Sequence, residues 1–279
     1  MIGVLPAIFL RERLKPALHD NETESPGILE NVKEFFSGFL TTLRFRPFQK
    51  LCIATFLVFN GFILIAGLQP YVIMYYVFEG DTARGAELVG HVGALSAACA
   101  LVIVVFITWL ATKIGKRRAF FLATGVSMAG YALKWVCYNP DIPWLLLLPA
   151  PLMAFGLGGL FTIMPSMICD VVDADEINTH QRREGMYGSI FWWVVKLGMA
   201  AALAAGGFLL NATGFDVALG GEQAPRTIFL MRLFDAFIPC AASGVAIWAV
   251  ATFSITEEKA YEIRQELEKR RSDLATATA

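Results

Sequence analysis

The sequence predicts an all-α, polytopic membrane protein with six transmembrane helices. Three observations carry this. The 279 residues are 56% hydrophobic, with a mean hydropathy of +0.57. Only 17% are charged, against about 25% in a soluble domain. Six apolar segments, near 51–78, 88–112, 119–138, 143–168, 186–210 and 228–253, are each long enough to cross a hydrocarbon core about 30 Å thick as a helix. Helices satisfy their own backbone polar groups, as lipid demands, and the alternation of a β-barrel is absent. The net charge of −1 says nothing for nucleic acid, because no basic face stands out, and no nucleic-acid partner is expected.

Residues 1–10 are apolar and run into Arg11-Glu12-Arg13 without a basic leader or a cleavage site. They read as the end of a truncated transmembrane helix. Residues 11–50 then form a cytoplasmic central loop. Its stretch His19 to Gly27 is a flexible linker by composition. From Ile28 to Phe45, apolar residues mixed with Glu30, Lys33, Glu34 and Arg44 predict an amphipathic helix. That helix lies on the membrane surface or packs on the protein itself.

The six spans occupy residues 51–255. Lysine and arginine orient them. The leading segment, the turn at Lys113 to Arg118, the pair Arg182-Arg183 and the tail from Lys259 to Arg271 hold most of the basic residues. The intervening loops offer only Arg84 and Arg226. The alternation places both termini in the cytoplasm and the chain in the plasma (inner) membrane. Tyr71, Tyr75, Tyr76, Tyr138 and Trp144 fall at the outer interface, where such rings accumulate. The first span is marked by Asn60, Gly61, Gly67, Gln69 and Pro70, and the fourth by several Gly and Pro residues, which permit close packing or bending. Residues 256–279 form a charged, solvated cytoplasmic tail.

Three cations fall within or near the spans. Lys134, one turn from Tyr138, can snorkel to the outer interface. Arg232 has Asp235 three residues on, within reach on one helix face. Lys196 is different: it sits near mid-depth, with Trp192 and Trp193 one turn before it and no acidic residue until Asp216. An ion there costs at least about 2.5–3.5 kcal/mol. It needs water, substrate oxygens or a carboxylate from another helix. Lys196, Trp192 and Trp193 are therefore the candidate substrate-binding residues.

Between the fourth and fifth spans, Asp170 to Gly185 reads DVVDADEINTHQRREG. On a helix Asp170 and Asp173 share a face, with Glu176 near it. The ligand order of a calcium loop is missing, so no metal site is expected. A switching salt-bridge network at a cytoplasmic gate fits Asp170, Asp173, Glu176, Arg182, Arg183 and Glu184. The basic turn KIGKRR, with Lys116, Arg117 and Arg118, is the opposing partner; Gly115 permits its sharp reversal. No nucleophile–base pair or phosphate-binding glycine loop appears, so catalytic residues and an enzyme are not expected, and neither is a cofactor. Cys52, Cys99, Cys137, Cys169 and Cys240 lack metal or disulfide spacing and read as small buried apolar residues.

The run Asp170-x-x-Asp173-x-x-Glu176-x-x-Thr179-x-x-Arg182-Arg183-Glu184-Gly185 resembles the loop between helices ten and eleven in the glycoside–pentoside–hexuronide:cation symporter family, which includes melibiose permease and lies within the major facilitator superfamily. Lys196-Leu197-Gly198 resembles that family's eleventh helix, KIGKRR the superfamily's basic turn, and Arg46-Pro47-Phe48 the lead into helix seven. One departure is His180, where the family usually has glycine. The resemblance covers only the second half of the family. It implies the C-terminal six-helix bundle of a carrier performing sodium- or proton-coupled sugar or glycoside symport by alternating access. Lys196 then helps bind sugar, the coupling cation binds mainly in the N-terminal six-helix half, and the chain is inactive without that partner. A same-fold carrier of another solute, such as a lysolipid, or a non-transporting membrane scaffold are the alternatives.

Overall fold

The computed structural model describes residues 28–277, all of them helix, turn or irregular chain and none of them strand. Expectations for residues 1–27, including the truncated helix and the linker, lie outside the described residues. Helix α1 runs over Ile28–Arg44. The chain divides into two compact units, Met1–Phe39 and Leu40–Ala279, and the second holds everything that follows.

Helix α2 spans Arg46–Val72, entered through Pro47, whose fixed φ and missing N–H suit a first turn. It widens into a single π-turn over Ile73–Val77, just after the internal Pro70. A proline removes one hydrogen bond of the ladder, and such breaks are where the helix register adjusts. Helix α3 (Thr82–Ile114) starts where Asp81 accepts a hydrogen bond from the Arg84 amide at 3.1 Å, as an N-cap should. Helix α4 (Lys116–Cys137) follows after Gly115 alone, whose φ is +93°. Helices α5 (Pro149–Thr179), α6 (Glu184–Ala212), α7 (Pro225–Ala251) and α8 (Glu257–Ala277) complete the chain.

Six segments are long and apolar enough to cross a bilayer: Arg46–Val77, Thr82–Ile114, Lys116–Cys137, Pro143–Thr179, Glu184–Ala212 and Pro225–Ala251. Each covers nearly all of one predicted span and begins at or before it; three end one or two residues short of the predicted limit, and the others run past it. The largest overrun corrects the sequence reading: most of the expected loop from Asp170 is the last three turns of α5, and only His180 to Arg183 breaks the helix. Charged residues with good helix propensity continue a helix past its apolar core wherever water or a partner solvates them, so hydropathy marks the span and not the helix.

The packing has a two-fold character. Helix α2 packs on α7 and α6, while α5 packs on α4 and α3; α4 lies against α7 and α2 against α5. Exchanging the triplet α2–α3–α4 with α5–α6–α7 reproduces these pairings. Successive helices reverse direction, so the triplets are inverted with respect to each other, a known plan of membrane carriers. Small residues allow the close approach of α4 and α5: Gly159 faces Ala123, and Gly156 faces Ser127. Gly61 of α2 likewise faces Pro239 of α7. Helices α3 and α6 bury the least of their apolar surface; Leu101, Val102 and Val105 on α3 and Leu203 and Phe208 on α6 are exposed. Of the five cysteines only Cys137 is buried and Cys169 is exposed, so burial does not describe them as a set.

Candidate functional site

Three clusters of polar residues stand out within the bundle. The first gathers at the end where α2, α4 and α6 begin. Lys116 Nζ lies 2.6 Å from Asp170 Oδ2 and donates to the Ser166 carbonyl at 3.1 Å. Arg182 donates to Glu176 at 2.7 Å, to Asp173 at 3.2 Å and to Glu184 at 3.2 Å. The Glu176 carboxylate hydrogen-bonded to it holds the Arg182 guanidinium above its already high range. Arg183 approaches Asp175 at 3.8 Å. The structure thus joins the acidic run to the basic turn through Lys116 and folds Arg182 back on its own carboxylates. Arg117 instead donates to the Ala251 carbonyl at the end of α7, and Lys50 to the Thr252 carbonyl beside it. Cations are favoured at a helix C-terminus. Arg118 is exposed and makes no ion pair among the described residues.

The tail corrects a second expectation. Helix α8 docks along α5 rather than standing free in solvent. Arg264 pairs with Asp170 at 3.2 Å and Arg271 with Glu176 at 3.0 Å. Glu257 accepts a hydrogen bond from the Lys116 amide, the first donor of α4, where the helix dipole favours an anion. Arg264 and Arg271 are two turns apart on one helix face, but Asp170 and Glu176 are six residues apart, so no shared spacing marks the two as partners. Nothing in the sequence pairs those two faces.

At the opposite end a second cluster is wholly buried. Lys134 Nζ of α4 lies 2.6 Å from Asp235 Oδ2 of α7, and neither side chain is exposed to solvent. Tyr138 donates its hydroxyl to the same Asp235 oxygen at 2.5 Å. Gln69 of α2 accepts from Lys134 at 3.4 Å. Lys134 therefore does not snorkel, Asp235 does not pair with Arg232, and Tyr138 is buried. Arg232 is held between Tyr76 and Trp135, 4.3 and 4.7 Å from the ring centroids, and donates to the Trp135 carbonyl at 2.9 Å. Proximity in sequence favoured Arg232 with Asp235; packing α4 on α7 brings in a better partner that needs no exposed stem.

The third cluster is the face of α6 that carries Lys196. Gly185, Gly188, Ser189, Trp192, Trp193 and Lys196 line an open groove along the helix. Trp192 and Trp193 are half exposed. Trp192 stacks on Phe161 of α5, 6.1 Å between centroids and 21° between planes, and Phe161 meets Phe59 of α2 edge-on at 5.8 Å. Lys196 sits in the middle of a 29-residue helix and has no ion pair or hydrogen bond with a described residue. The three candidate binding residues are brought to one groove.

Inverted helix triplets long and apolar enough to cross a bilayer are the architecture of membrane carrier proteins. The chain matches the sequence profile of the MFS/sugar transport protein family over residues 4–257 and belongs to that family, as the loop and turn motifs predicted. It is similar to an uncharacterized symporter of Synechocystis sp. (26% identical over 253 residues, 89% of this chain and 45% of that protein). It is also similar to the glucuronide carrier protein homolog of Escherichia coli K12 (24% over 231 residues; 83% and 49%) and to the isoprimeverose transporter of Lactiplantibacillus pentosus (22% over 200 residues; 71% and 41%). The chain spans about half the length of the curated relatives it matches. The family and these relatives are transporters and not enzymes, and the chain is an integral membrane protein.

Proposed function

We propose that this six-helix bundle is the C-terminal half of a sugar:cation symporter working by alternating access. The observation that carries the reading is Lys196. It is an ion at the middle of an apolar helix, placed on an open groove beside two tryptophans, with no carboxylate to balance it among the described residues. A second six-helix half facing this groove completes the cavity, because carrier sites form at the interface of repeats. Lys196 then hydrogen-bonds sugar hydroxyls, and Trp192 and Trp193 offer flat apolar faces to the ring. The unbalanced cation favours a sugar that carries a negative charge, in keeping with the relative named for glucuronide. The coupling ion, sodium or proton, binds mainly to the other half.

In this reading the end bearing the Lys116–Asp170 and Arg182–Glu176 pairs is cytoplasmic, and both termini lie on that side. Those pairs form part of the gate and are exchanged as the halves rock. The test is uptake of a radiolabelled glucuronide into proteoliposomes under an imposed sodium or proton gradient. The chain alone takes up nothing. The chain joined to an N-terminal six-helix half of the same family takes up substrate, and Lys196→Ala abolishes this while the protein stays in the membrane. Gradient-driven uptake by the chain alone refutes the half-carrier reading, and normal uptake by the lysine variant refutes the site.

A further inference from the structure

A cavity of about 410 Å³ lies among α2, α3, α4 and α5, away from the Lys196 groove. Its walls are mostly carbon, and no charged side chain lines it. The mouth lies along α3, where Gly93 and Ala97 are exposed. The Phe59–Phe161 pair lies outside the lining: Phe59 is one turn from the lining Phe62, and Phe161 is one turn from the lining Leu157. The cavity and the Lys196 groove share no lining residue.

The polar group that gives the cavity a chemistry is Gln69. It is 92% buried, with a relative exposure of 8%. Its carboxamide faces Lys134 Nζ at 3.4 Å. An ammonium donates and never accepts, so the atom turned to Lys134 is the amide oxygen; this fixes a choice that shape alone leaves open. The amide NH2 is therefore turned away from Lys134. It has no hydrogen-bond partner among the described residues, while its side chain lines the cavity. The Lys134–Asp235 pair thus acts as a clamp that presents a donor to an otherwise apolar space. A donor on an otherwise apolar wall gains a hydrogen bond when a ligand supplies the acceptor.

We propose that this cavity is a second binding site, for a neutral one- or two-ring molecule bearing a single acceptor oxygen that takes the Gln69 amide hydrogen bond. The volume falls in the range of small-molecule sites. A charged ligand is disfavoured because nothing in the wall replaces its hydration. A lipid acyl chain fills the space but leaves the donor unpaired. The proposal does not rest on the transport reading.

The experiment uses the full chain in lipid nanodiscs and two probes of matched shape. These are 2-acetylnaphthalene, which has the acceptor, and 2-isopropenylnaphthalene, in which a CH2 group replaces the carbonyl oxygen. Saturation-transfer NMR reads their affinities. The ketone binds about fivefold tighter than the alkene, the factor expected of one net hydrogen bond. Gln69→Leu abolishes that preference while both probes still bind. Gly93→Leu, at a position where an added Cβ meets nothing within 4 Å, folds normally by its helical circular dichroism and blocks both probes. Equal binding of the two probes to the native chain, or a ketone preference that survives Gln69→Leu, overturns the proposal and leaves partition into lipid or an acyl-filled cavity. Unchanged binding to Gly93→Leu overturns the placement.

Discussion

Lys134 Nζ and Asp235 Oδ2 lie 2.6 Å apart with no solvent access to either side chain, and they tie α4 to α7. Asp235 Oδ2 also takes the Tyr138 hydroxyl, whereas Oδ1 has no partner among the described residues. Taking two ions out of water is expensive, so the pair is a weak source of net stability but a strong constraint on how these helices meet. Lys134→Met alone should destabilise the bundle by about 3–5 kcal/mol, because it strands a buried carboxylate. The double change Lys134→Met with Asp235→Leu should recover most of that loss. Thermal unfolding of the purified chain in detergent, followed by circular dichroism, checks both.

At the middle of α6, Lys196→Ala should abolish uptake by the joined carrier without lowering its amount in the membrane. Trp192→Ala should weaken it less if the ring serves only as a platform, since its stacking partner Phe161 remains. Loss of an aromatic contact of this kind is worth about 0.5–1.5 kcal/mol, or two- to tenfold in apparent affinity. Concentration dependence of initial uptake rates separates the two variants.

The charge network at the other end should hold from neutral to alkaline pH and loosen only in acid. Arg182, with its pKa raised further by Glu176, stays ionised throughout the working range. A group whose folded-state pKa is raised contributes stability below its unfolded value and loses it only as pH rises through the folded one, which for arginine lies beyond reach. Burial pushes the Glu176 carboxyl up, but the Arg271 and Arg182 guanidiniums hydrogen-bonded to it outweigh this and hold it below its ordinary range. Its contribution is present above the free carboxylate's value and is lost as pH falls through the lowered one. Hydrogen exchange at the amides of α8 should accelerate in acid and remain flat between neutral and alkaline pH, after correction for intrinsic exchange.

Arg264→Gln and Arg271→Gln should release α8 from α5, because they remove its pairs to Asp170 and Glu176. Limited proteolysis of the tail should then speed up, while the helical content of the bundle stays unchanged. These pairs are partly exposed, and each is expected to contribute no more than about 1 kcal/mol, so the double variant is the informative one.

His180 closes α5 with φ of +56°, in the left-handed region that L-residues enter at a cost of about 1–2 kcal/mol. That explains why glycine is the usual residue at this place in the motif. His180→Gly should stabilise the chain by up to about 1 kcal/mol. Gly115→Ala should do the reverse: its φ is +93° and an added methyl would overlap the Glu257 carboxylate. Paired melting curves would show opposite shifts.

Hydropathy and the loop motifs made the six spans and the family legible, since both are properties of contiguous residues. The charged run from Asp170 was also legible as a network, because its members are close along the chain. Its continuation into Arg264, Arg271 and Glu257 was not: a solvated helix and a docked one have the same composition.

By itself the sequence determined that this chain fills a membrane with six helices and carries one lysine where lipid would not tolerate it. Those follow from the transfer energy of contiguous side chains, which needs no knowledge of neighbours. Only the tertiary structure decided which charges meet. Lys134 found Asp235 rather than solvent, Arg232 found Tyr76 and Trp135 rather than Asp235, and Gln69 was turned to face a cavity. Each choice was made by the crossing of helices far apart in sequence. Burial raises the penalty for an unpaired ion until one partner, out of several that are near along the chain or in space, is the one that can be reached.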